Sequence, residues 1–129
     1  MASANTAAIE EVFRLARRAD HRTLRTHLHE DMTWHPAREG AWKPCTSAEE
    51  VVRTLLWRAD ANRLQPGEMI AIGDRVLVQL RGKRLERLGG KGFIPRLFQI
   101  VVLREGKVAS IRDYATREEA LTAAGIKKQ

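Results

Sequence analysis

Apolar residues recur at helical spacing at Ile9, Val12, Phe13 and Ala16, with Glu10, Arg14 and Arg17 opposite them, and this predicts an amphipathic helix over 7–18. Asp20 can cap a second, short helix running through Leu28, because Leu24 and Leu28 are four apart and share a face. Met32 and Trp34 then alternate with Thr33 and His35 ahead of Pro36, which reads as a short strand over 32–35. A loop with Gly40 and Pro44 follows. Ser47 and Glu50 have capping-box spacing and open a third helix over 48–62, with Val51, Val52, Leu55, Leu56 and Ala59 as its apolar stripe. Pro66 and Gly67 close the helical stretch.

From Glu68 onward the punctuation changes. Gly73-Asp74, the glycines of 89–92 and Gly106 separate runs over 69–72, 75–88, 94–104 and 107–114, which predict a four-stranded antiparallel meander. Thr116 and Glu119 repeat the capping box, and Gly125 can end the last helix. Helices gathered ahead of a meander imply an α+β fold, with helices on one face of a curved antiparallel sheet. The other face is left to solvent or to a second copy. Apolar residues on both parities of Ile100, Val101, Val102 and Leu103 favour the second copy, so a homodimer through the sheet face is expected.

The chain has 129 residues, the size of one compact domain, with 43% hydrophobic and 30% charged residues, a globular balance. Its longest apolar run, 100–103, is far below the roughly 20 residues of a membrane span. Residues 1–13 contain no basic residue and carry Glu10 and Glu11, unlike a secretory leader, and Cys45 is the single cysteine. A cytoplasmic protein without a disulfide is expected. The net charge of +7 is concentrated between Arg81 and Arg112, where Lys83, Arg84, Arg87, Lys91, Arg96, Arg104 and Lys107 are opposed only by Glu86 and Glu105. Phe93 and Phe98 are the only aromatic residues in that stretch, thin for base stacking, so the basic surface reads as a solvated face and not as a nucleic-acid site. His21, His27, His29 and His35 lack metal-ligand spacing, and no metal is expected.

The order of elements, together with the 28–36 segment LHEDMTWHP and the 104–114 segment REGKVASIRDY, resembles the nuclear transport factor 2-like superfamily, and within it the SnoaL-like proteins. The resemblance spans nearly the whole chain as one SnoaL-like domain. It implies a cone-shaped α+β fold whose curved sheet wraps around helices and a pocket for a small apolar ligand. It also implies activities of ketosteroid isomerase, polyketide cyclase or limonene epoxide hydrolase type, or binding without catalysis. No organic cofactor is implied. By the same resemblance Asp113 is the pocket carboxylate acting as acid or base, and His35 lies near the position where isomerases keep a catalytic Asp. Phe13 stands roughly where an isomerase keeps a tyrosine.

Alternation adds its own reading. Asp113 shares a face with Ile111 and lies opposite Arg112 and Tyr114, so an inward Ile111 brings Asp113 inward; otherwise Asp113 is a strand-end acid paired with an arginine. His35 either pairs with Asp113 as a dyad or sits on the rim, since an inward Trp34 turns it away. Gln79 and Arg81 share one face with Leu77, and Gln99 shares another with Leu97 and Val101. These polar groups, with Phe13, Trp34, Leu55 and Tyr114, are the candidate substrate-binding set. Trp42 and Trp57 supply further aromatic area.

Overall fold

The computed structural model describes residues 4–40, 42–62, 65–81 and 96–125. Its elements are α1 (Ala4–Arg17), α2 (His21–Arg25), β1 (Leu28–His35), α3 (Ala48–Asn62), β2 (Gln65–Ile72), β3 (Arg75–Arg81), β4 (Arg96–Arg104), β5 (Lys107–Tyr114) and α4 (Arg117–Ala124). The glycine-rich tip at 89–92, the inner ends of the runs expected over 75–88 and 94–104, the basic residues Lys83, Arg84, Arg87 and Lys91, and the Trp57 side chain lie outside the described residues.

Caps act where the sequence puts them. Asp20 accepts the Thr23 amide at 3.2 Å, and Thr116 accepts the Glu119 amide at 3.1 Å and donates to the Glu119 carboxylate at 2.9 Å. Gly125 closes α4 in the left-handed region. At α3 the Ser47 hydroxyl accepts the Glu50 amide at 3.2 Å, but the Glu50 carboxylate reaches one residue further back, to the Thr46 amide at 2.8 Å and hydroxyl at 3.0 Å.

One boundary differs from expectation. The second helix stops at Arg25, and β1 starts at Leu28, four residues before the alternation begins. Leu24 is buried from the helix and Leu28 from the strand, so a four-residue spacing that looks helical has two different owners. Backbone pairing explains the switch: the His27 carbonyl accepts from the Val108 amide at 2.9 Å, and Leu28 registers with Val108.

The five strands form one sheet in the order β1-β5-β4-β3-β2. β2 to β5 make the expected antiparallel meander. β1 adds to it in parallel beside β5, with Trp34 opposite Ile111 and His35 opposite Arg112. The Arg104–Lys107 hairpin has positive φ at both central residues, Glu105 (56°) and Gly106 (79°), as a two-residue turn of the right twist requires. In β2 an irregularity between Pro66 and Met69 brings Gly67 against β3; a Cβ there would lie 3.1 Å from both Gln79 Oε1 and Arg81 Nε.

The inner face carries the main core. Val76, Val78, Leu80, Leu97, Val101, Leu103, Val108 and Ile111 pack against Ile9, Val12, Phe13, Ala16, Val51, Val52 and Leu55 of α1 and α3. On the outer face Leu77, Phe98 and Ile100 are buried under Ala120, Leu121 and Ala124 of α4. Helices therefore cover both faces and not one. The apolar residues on both parities of 100–103 have an intramolecular cause, because Ile100 lies under the chain's own last helix. They no longer argue for a second copy.

Two predictions follow from local geometry. Glu105→Asn, which tolerates the left-handed region better, raises unfolding free energy by up to about 1 kcal/mol in urea titrations. The second concerns acid stability. The Thr46 amide first, then its hydroxyl, hold the Glu50 carboxyl below its ordinary value. A lowered folded-state value gives stability that is present above the unfolded value and lost as pH falls through the folded one. The urea midpoints of wild type and Glu50→Gln therefore differ at pH 7 and converge as the pH falls below the ordinary carboxylate range.

Candidate functional site

Asp113 is wholly buried, at 0% exposure, an unusual position for a carboxylate. Strand register places it there. Gln99 on β4 and Asp113 on β5 are direct partners on the inner face, and Gln99 Nε2 donates to Asp113 Oδ1 at 2.9 Å. Trp34 on β1 registers with Ile111, two residues before Asp113, and its indole Nε1 donates to the same oxygen at 2.8 Å. Three adjacent strands thus converge on one carboxylate oxygen. Desolvation opposes ionisation of such a group, while two donors on it favour the charged form.

The candidate residues divide across the sheet. Phe13, Trp34, Leu55, Gln99 and Asp113 lie on the inner side, all buried. Phe13, Trp34 and Leu55 belong to the close-packed core around the acid. His35, Gln79, Arg81 and Tyr114 have the opposite parity. Gln79 registers with Phe98 and Tyr114 does likewise, and Tyr114 packs at the edge of the cluster under α4. Gln79 Oε1 accepts a long 3.5 Å contact from the Glu68 amide, and Arg81 is exposed. These four side chains do not join Asp113. The dyad of His35 with Asp113 is not assembled, because an inward Trp34 sends the next residue outward, where His35 sits beside Arg112.

Sequence reasoning missed Trp34 as a donor and counted it only among the candidate substrate-binding residues. A buried indole N–H needs an acceptor, and that requirement was the available signal. Arg112 and Trp42 were also missed as site residues. With Glu39, Lys43 and Pro44 they line a cleft of about 740 Å³ at the end of β1, into which His35 also faces. Among the described residues no group of three metal-ligating side chains converges, and no helix is long and apolar enough to cross a membrane.

No family model matches the sequence, and no curated protein matches it. The likeness is to solved structures. A nuclear transport factor 2-like protein of unknown function from Cytophaga hutchinsonii is 14% identical, with 89% of this chain and 92% of that one covered and a TM-score of 0.63. TerC, co-crystallised with polyporic acid, is 23% identical over 91% of this chain and 95% of its own, with a TM-score of 0.63. A Kribbella flavida protein whose name assigns it to the ketosteroid isomerases is 16% identical over 88% of this chain and 78% of its own, with a TM-score of 0.66.

The two donors to Asp113 differ in what else they satisfy. Gln99 Oε1 is buried without a hydrogen-bond partner among the described residues, so Gln99→Leu removes an orphan acceptor along with a donor. Trp34→Phe removes a donor with no such relief. Trp34→Phe therefore destabilises by about 1.5–3 kcal/mol in urea unfolding, and Gln99→Leu by about 1 kcal/mol or less.

Proposed function

We propose that this chain, which has the nuclear transport factor 2-like fold, is a small-molecule pocket protein working as a cofactor-independent acid-base enzyme of isomerase, cyclase or hydrolase type. Its substrate is an apolar compound bearing a carbonyl or an epoxide, and Asp113 is the group that exchanges the proton. The observation that carries this reading is the Asp113 carboxylate, buried on the inner face and oriented by Trp34 and Gln99. A group so placed can take a proton from a carbon beside a carbonyl and return it elsewhere on the same molecule, leaving atoms and charge balanced. Phe13, Trp34 and Leu55 supply the apolar surroundings and Gln99 the polar contact. A ligand-bound protein and an assigned isomerase of similar fold are consistent with this use of the scaffold.

A second reading is favoured by the completeness of that burial. A carboxylate tying β1, β5 and β4 together also suits a binding module that holds a ligand, or docks a partner, without chemistry. The two readings separate on one experiment. A panel of apolar ketones and epoxides, with polyporic acid included as a ligand of a similar fold, is incubated with the protein and followed by mass spectrometry. Conversion by wild type, and a fall of about 100-fold or more in Asp113→Asn with unchanged circular dichroism, is the expected result. An unaffected rate in Asp113→Asn removes Asp113 from the chemistry, and saturable binding without conversion selects the binding module.

A further inference from the structure

The cleft at the end of β1 lies away from Asp113 and has a construction of its own. Its floor is the outer side of the β1–β5 pair, where His35 and Arg112 are register partners. Its wall is lined by Pro36, Ala37, Glu39, Gly40, Trp42, Lys43 and Pro44, and the chain is fastened on either side of them. The Trp34 amide and carbonyl exchange 3.0 Å hydrogen bonds with the Cys45 carbonyl and amide, and Thr46 is held by the Glu50 carboxylate just beyond. Trp42 stands in the wall with its ring braced edge-to-face on Trp34, centroids 5.4 Å apart at 80°. At about 740 Å³ the cleft falls within the roughly 300–1,000 Å³ of small-molecule sites.

Its charge is lopsided. Arg112 and Lys43 line it against a single acid, Glu39, with the His35 ring as a further donor. None of the ion pairs among the described residues engages Arg112, Lys43 or His35. The guanidinium of an arginine on a rigid strand presents a planar fork that suits a carboxylate bidentately, and an indole in the wall suits a flat apolar body. We propose that this cleft is a second binding site, independent of Asp113, for an aromatic carboxylate whose acid group is held by Arg112 and Lys43 and whose ring rests on Trp42.

The test uses the full chain and three probes, 1-naphthoate, 1-naphthamide and inorganic phosphate, followed by calorimetry and by the indole and imidazole signals in NMR. Naphthoate is expected to bind saturably and shift Trp42 and His35 resonances, with the neutral amide and phosphate each weaker by about ten-fold or more. Arg112→Gln weakens naphthoate by a similar factor, Lys43→Gln by less, and both fold because the two side chains make no ion pair among the described residues. Naphthoate binding is read on the wild-type chain without any turnover assay, which keeps failure at this cleft distinct from failure of the inner acid. Equal affinity for amide and acid, or no loss in Arg112→Gln, overturns the proposal. Phosphate binding as tightly as naphthoate would reduce the cleft to a simple anion site and equally overturn the aromatic assignment.

Discussion

A carboxylate with no solvent contact must be compensated by its neighbours, and at Asp113 the neighbours come from two other strands. Trp34 enters from β1 and Gln99 from β4, and both reach Oδ1 within 3 Å. Either strand slipping by one residue would turn its donor to the opposite face and remove one of the two hydrogen bonds on Asp113 Oδ1. The polar cluster therefore specifies register. The parallel docking of β1 depends on it most, since no turn joins β1 to β5 and nothing local sets their alignment.

Around that constraint the sheet separates two environments. Its inner face, under α1 and α3, holds the acid, its donors and the larger core. Its outer face is shared between the apolar cluster beneath α4 and the basic cleft beside β1. The Trp42–Trp34 contact links the two sides at the sheet edge, because Trp34 bonds Asp113 while its ring braces the wall of the cleft.

Much of this was legible in the sequence, for physical reasons that differ by element. Helix starts were readable because Asp20, Ser47 and Thr116 carry oxygens that satisfy orphan amides, and the hairpins because Gly73 and Gly106 allow positive φ. The inward parity of Asp113 was one of the two readings its spacing to Ile111 allowed. What stayed hidden was long-range. Leu28 looked helical because its spacing to Leu24 fits a helix, and only pairing with Val108 makes it a strand residue. Ile100 looked like an interface residue because its cover, α4, comes later in the chain. The outward placement of His35, Gln79, Arg81 and Tyr114 was written in their alternation, but a family analogy that gathers polar residues into one pocket reads across that alternation.

The Trp34–Asp113 bond joins residues 79 apart, and β2, β3 and β4 lie between them in the chain. Contacts of that separation carry the largest loop-closure entropy and form only after nearer ones reward the collapse. During synthesis, β1 leaves the ribosome long before β5 exists to receive it. Its Trp34 indole and its backbone edge must wait through most of translation for their partners on β5. Until β1 docks beside β5, Asp113 lacks the indole donor that β1 brings to it.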